Sequence, residues 1–192
     1  FFFFSLFIFV TASIAKANYI DEITDLQLAA KHGELNCVES LVQGGAKLDE
    51  IIIKDGNVNT ALSFAVCYGH ADCVKYLLNH GAKVTIKSKG YDRILYSEMM
   101  EKAGAGGSVD CLKILIKEIP CGKKYKTRKY LLKALGSSCK EGNEEAACFL
   151  LENLKELSKK EVNKIFRKVG GRIETIQFKR IRSILNEKIS NK

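Results

Sequence analysis

Tryptophan is absent, and proline occurs once, at Pro120. Polyproline recognition segments and stiff proline-rich linkers are therefore excluded, and turns must be made by the fifteen glycines. No two cysteines stand as C-x-x-C, so neither a paired-thiol zinc site nor a dithiol redox motif has support. Histidine is scarce, with only His32, His70 and His80. No paired carboxylates and no serine–histidine–aspartate arrangement emerge from the order of residues. Gly104-Ala105-Gly106-Gly107 comes nearest to a phosphate loop, but no Lys-Ser/Thr and no strand-to-helix fingerprint accompany it. The sequence calls for no cofactor and no metal, and it points away from an enzyme.

Positive charge is plentiful. The net charge is +9, an excess that bears on partners more than on fold. It favours an acidic protein surface, an anionic membrane or nucleic acid, without choosing among them. With 46% hydrophobic and 28% charged residues, the chain is expected to fold, as one domain with at most an appendage.

The opening stretch differs from the rest. Phe1 to Val10 hold one polar residue, Ser5, and small residues then lead to Ala15-Lys16-Ala17. An apolar run followed by A-x-A is the pattern of a secretory signal. Residues 1–17 are expected to be a signal peptide, cleaved, with the protein exported to a periplasm or secreted. A membrane anchor needs about 20 apolar residues, and this run stops short. The seven cysteines, an odd number, sit awkwardly with an oxidising compartment.

Beyond residue 17 the chain repeats itself. Gly69-His-Ala-Asp-Cys-Val-Lys-Tyr-Leu-Leu78 returns as Gly107-Ser-Val-Asp-Cys-Leu-Lys-Ile-Leu-Ile116. Apolar doublets begin at Leu41, Leu77, Leu115, Leu150 and Ile184, and a glycine stands eight residues before each of the first four. Those glycines are Gly33, Gly69, Gly107 and Gly142. Leu26, Leu62, Met100 and Leu135 form a column seven residues earlier, and Ala29, Ala65, Ala103 and Ser138 form one four residues earlier. Val38, Val74, Leu112 and Ala147 form another five residues later. The spacing predicts two short helices per unit, separated by the glycine, each with one apolar stripe. Neither helix can bury its stripe alone, so the units must stack. Cys37, Cys73 and Cys111 share a column. Stacked helices lie about 8–10 Å apart, too far for bridging, so these are expected to be small buried hydrophobes.

Thr60-Ala-Leu-Ser-Phe-Ala-Val-Cys-Tyr-Gly-His70, followed by Val74, Leu77-Leu78 and His80-Gly-Ala82, resembles the ankyrin repeat. Leu26 to Lys47 is similar, and units three and four keep the glycine, the small residue and the doublet. The resemblance implies an all-α ankyrin-repeat solenoid of helix-turn-helix units joined by hairpin-like loops, over residues 18–155. The family's proline at the first-helix start is missing, and its histidine is replaced by Gln27, Ser63, Glu101 and Gly136. The third and fourth first helices are expected to be the loosest. His70 and His80 fall at repeat positions, where structure accounts for them.

Ser158 and Glu161 read as a capping box ahead of Val162, Ile165, Phe166 and Val169 at helical spacing. Residues 156–192 are expected to form a basic helical hairpin that caps the array.

The resemblance also implies a binding module whose loop tips and first helices meet a partner. On the first helices, His32 and Tyr68 occupy such positions. The second tip carries Lys87, Lys89, Tyr91 and Arg93, and the third Lys123, Lys124, Tyr125, Lys126, Arg128 and Tyr130. Basic residues interleaved with tyrosine suit another protein with an acidic surface, the charges steering approach. The alternative is an adaptor for nucleic acid or an anionic membrane through the third tip and the basic cap. No small-molecule substrate is expected.

Overall fold

The computed structural model describes residues 23–54, 57–84, 86–88, 91–93, 95–118, 124–154, 157–169, 181, 183 and 184. Four helical pairs follow in order: α1 (Asp25–His32) with α2 (Leu35–Gln43), α3 (Ala61–Cys67) with α4 (Ala71–Asn79), α5 (Leu95–Gly106) with α6 (Val109–Lys117), and α7 (Lys124–Glu141) with α8 (Glu144–Asn153). A further helix, α9 (Lys159–Val169), follows. Two antiparallel hairpins join the early pairs. Strand β1 (Ile52–Lys54) pairs with β2 (Asn57–Asn59), placing Ile52 opposite Asn59. Strand β3 (Ile86–Ser88) pairs with β4 (Tyr91–Arg93), placing Ile86 opposite Arg93.

The stack has two layers. First helices pack on first helices in the sequence α1, α3, α5, α7, α9. Second helices do the same through α2, α4, α6 and α8. The described residues form an all-α solenoid of stacked helix pairs with small hairpins between units, the architecture that the ankyrin resemblance implies.

The repeated columns are its core. Leu62, Met100 and Leu135 are fully buried and Leu26 nearly so, and Ala65, Ala103 and Ser138 are closed off beside them. Val38, Val74, Leu112 and Ala147 are all at zero exposure. Each large aliphatic side chain removed from water contributes about 2 kcal/mol, and none could be buried by its own pair alone. Small residues set the helix spacing. A methyl group on Gly104 would lie 2.5 Å from the carbonyl oxygen of Ala134, so α5 and α7 touch backbone to backbone there.

Helix starts are capped by side chains. Thr24 and Gln27 close a capping box on α1, and Thr60 and Ser63 close one on α3. Two replacements for the family histidine thus take up local capping. Gln27 also donates through Nε2 to the carbonyl of Glu50 at 2.8 Å, tying the helix to the loop before β1.

At two unit boundaries the residue after the glycine reaches back to the preceding unit. Gly33 turns the chain at φ 76°, and Lys31, two residues before it, accepts a hydrogen bond at its carbonyl from Nε2 of His70 at 3.0 Å. The His70 ring lies where a Cβ on Gly33 would be. Asn143 repeats the arrangement over Gly107 and donates through Nδ2 to the carbonyl of Ala105. Ser108 instead caps its own helix, accepting from Cys111 N at 3.4 Å. His80 is also structural, stacked 4.0 Å from Tyr76 and donating through Nδ1 to the Tyr76 carbonyl.

Units three and four have the longest first helices, and these pack on each other more extensively than other first-helix pairs. Two sequence expectations change. The third tip is not a long loop, because α7 already begins at Lys124. No glycine or proline interrupts Lys124 to Leu135, and Tyr130, Leu131, Ala134 and Leu135 form an inward stripe there. In the cysteine column, Cys73 and Cys111 are buried, but Cys37 is exposed.

Candidate partner-binding face

The solvent side of the first-helix layer is built by three columns. Five residues before each glycine stand Leu28, Phe64, Lys102 and Ser137. The two positions before each glycine hold Lys31 and His32, then Cys67 and Tyr68, then Ala105 and Gly106, then Lys140 and Glu141. On α1, Leu28, Lys31 and His32 share one face by their spacing. Leu28 is 40% exposed and Tyr68 52%, the exposed large hydrophobics among the described residues. Lys31 stands over the Tyr68 ring, 5.6 Å from its centroid, and links the two units.

This surface changes character along the stack. The first two units present Leu28, Phe64 and Tyr68 in adjoining positions. The later units present charge. Lys102 donates to Asn59 Oδ1 at 3.1 Å, while Glu101 accepts from Ser137 at 3.2 Å and lies 3.7 Å from Lys133. Beyond them α7 and α9 enclose a groove of about 400 Å³, with Lys129 and Lys164 exposed beside it.

The sequence-derived site residues separate into groups. His32 and Tyr68 are exposed on the first-helix face, with His32 Nδ1 3.9 Å from Glu34. The backbones of Lys87, Tyr91 and Arg93 lie in the β3–β4 hairpin, and those of Lys124, Tyr125 and Lys126 in the first turn of α7. The side chains of these six lie outside the described residues, as do Lys89 and Lys123 altogether.

Two expected contact residues have other work. Tyr130 is only 9% exposed and packs 5.1 Å from the ring of Tyr96. Tyr96 donates to the Leu115 carbonyl at 2.7 Å, and burial pushes its phenol well above the ordinary range. Tyr130 is therefore a core residue and no tip anchor. Arg128 makes a two-pronged pair with Glu161, Nε to Oε1 at 3.1 Å and Nη2 to Oε2 at 2.9 Å. Glu161 also accepts from Ser158 N and Oγ, closing the expected capping box. The Arg128 hydrogen bond is the main reason its carboxyl is held at about 2. Arg128 latches α9 onto α7.

Leu28 and Phe64 were missed at the sequence level. Their signal was available: both are apolar in a column where later units carry Lys102 and Ser137. Among the described residues no cluster suited to a metal ion occurs. The glycines of the loop-like run all have packing reasons instead. Gly104 meets α7, Gly106 lies against the Cys67 carbonyl, and Gly107 turns under Asn143.

Residues 5–88 match the family model described as ankyrin repeats (3 copies). Over this span the chain is similar to ankyrin repeats. Part of the array is 43% identical over 74 residues to the ankyrin repeat and SAM domain-containing protein 6 of Rattus norvegicus, 37% of this chain and 8% of that protein. It is 38% identical over 65 residues to the ankyrin repeat and SOCS box protein 2 of Bos taurus, 33% of this chain and 10% of that protein. The chain thus spans about a tenth of the length of the curated relatives it matches. Ankyrin repeats generally mediate protein–protein interaction. The match begins at residue 5, within the apolar opening run.

Proposed function

We propose that this ankyrin array is a non-enzymatic protein-binding module and that its partner lies along the first-helix face. The observation that carries the reading is that Leu28 and Tyr68, the exposed large apolar side chains among the described residues, belong to consecutive units, with Lys31 of the first unit standing over the Tyr68 ring. An exposed aromatic anchor with an aliphatic neighbour is the composition of an interface centre. The basic sequence around the second hairpin, with Lys87, Lys89 and Arg93 beside Tyr91, favours an acidic partner.

A photo-crosslinking residue in place of Tyr68, introduced in the producing cells, tests this. The expected result is one discrete protein adduct that is missing when the same group replaces the exposed Glu152 on α8. Equal, diffuse labelling from both positions would remove the first-helix face from the reading.

Export is a second proposal, supported by the apolar run and Ala15-Lys16-Ala17. The ankyrin match claims residues 5–17 for the array instead. Intact mass of the chain recovered from its producer decides between them. Loss of residues 1–17 supports export, and their retention supports the longer array.

A further inference from the structure

The groove between α7 and α9 has an unusual lining. Its apolar lining comes from Leu132, Gly136 and Ile165. Its charged lining comes from Arg128, Lys129, Lys133 and Lys164, with one acid, Glu161, among them. Two of those charges are already answered inside the fold. Arg128 is paired with Glu161, and Lys133 lies 3.7 Å from Glu101. Lys129 and Lys164 are exposed and have no ion pair among the described residues. The groove therefore combines an apolar lining with two positive charges, on opposite helices, that no ion pair among the described residues answers.

We propose that this groove receives an acidic, aliphatic peptide segment of the partner protein. Carboxylates of the segment sit at Lys129 and Lys164, and a Leu, Ile or Val side chain sits over Leu132 and Ile165. This deepens the protein-binding reading and rests on it. A volume of about 400 Å³ is at the small end of ligand clefts, which suits a few side chains of a peptide. A nucleic-acid backbone would use the lysines and leave the apolar lining uncovered or wet. A peptide with both kinds of side chain satisfies both kinds of lining. The pair at Arg128 and Glu161 fixes the spacing of the two helices, so the cleft is formed before the ligand arrives.

The test uses the full chain and a phage library of random dodecapeptides. The expected selection is enriched in Asp and Glu next to Leu, Ile or Val. A fluorescent copy of the selected peptide should lose at least tenfold in affinity against Lys129→Glu/Lys164→Glu, two exposed positions that leave the helices folded by circular dichroism. Tyr68→Ala should leave that affinity within twofold. Selection without acidic residues, no selection at all, or full affinity in the double variant would each overturn the proposal. So would tighter binding of heparin or of phosphatidylserine vesicles that the same double variant abolishes. A discrete Tyr68 adduct alongside a failed selection would sink the groove and leave the binding module standing.

Discussion

His70 donates from Nε2 to the carbonyl of Lys31 at 3.0 Å, with its ring covering Gly33 of the preceding unit. One side chain thus satisfies a carbonyl near the end of a neighbouring helix and occupies the space that glycine leaves. Gly33→Ala is expected to fail on two counts, a positive φ of 76° and a methyl 2.3 Å from the His70 ring. Its cost should exceed that of His70→Ala, about 1 kcal/mol for the lost hydrogen bond. Adding His70→Ala to Gly33→Ala should recover the steric part only. Urea unfolding of the three variants measures this, and additive losses would count against it.

Gly104→Ala is expected to destabilise, against the usual trend. Inside an exposed helix this change gains about 1 kcal/mol. Here the methyl meets the Ala134 carbonyl at 2.5 Å and Ser138 Oγ at 2.9 Å, so α5 and α7 must separate. Overpacking of this kind costs about 1–3 kcal/mol. A raised midpoint in urea would contradict the backbone contact.

Glu161 supplies a pH dependence with a defined sign. Its carboxyl is held at about 2, below its ordinary 4.5, chiefly by Arg128. A lowered folded-state value means the contribution is complete above pH 4.5 and is lost as pH falls towards 2. With Arg128 39% exposed, solvent screening reduces the effect to about 1 kcal/mol. Arg128→Met should move the Glu161 midpoint upward and flatten the acid limb of the stability curve. Carboxyl titration by nuclear magnetic resonance reads it directly, and a wild-type midpoint near the ordinary value would disprove the latch.

Tyrosine substitutions should separate core from contact. Tyr130→Ala is expected to cost about 3 kcal/mol through loss of its packing on Tyr96. Tyr68→Ala, half exposed, should change stability by less than about 0.5 kcal/mol and weaken partner capture. Thermal unfolding beside crosslinking yields assigns each residue, and the reverse pattern would exchange their roles.

Thiol reactivity should follow the stacking. In a Cys121→Ser background, Cys37 is expected to react in the folded state, and Cys73, Cys111, Cys139 and Cys148 only on unfolding. Burial pushes the Cys139 thiol up to about 12, which suppresses its thiolate further. Mass mapping of alkylated peptides with and without urea checks the order.

The solenoid was legible because its constraints recur. Leu62, Ala65, Gly69, Val74 and Leu77 return at the same offsets in other units, and each offset corresponds to one buried column. The Ser158–Glu161 box was legible because it is local. What escaped was pairing across units. Arg128 and Glu161 are 33 residues apart, and nothing in either segment names the other. Tyr130 was read as a tip because basic neighbours surround it, although Leu131, Ala134 and Leu135 continue its helical stripe. Cys37 is exposed where Cys73 and Cys111 are buried, and its own unit's sequence does not mark the difference.

Each unit boundary is fastened by a different bond. His70 bonds across the first and Asn143 across the third, while at the second Ser108 turns inward to its own helix and Lys102 reaches Asn59 Oδ1 instead. In a linear array each junction bears strain separately. Removing one of these rivets should therefore open one seam of the rod and leave the others shut.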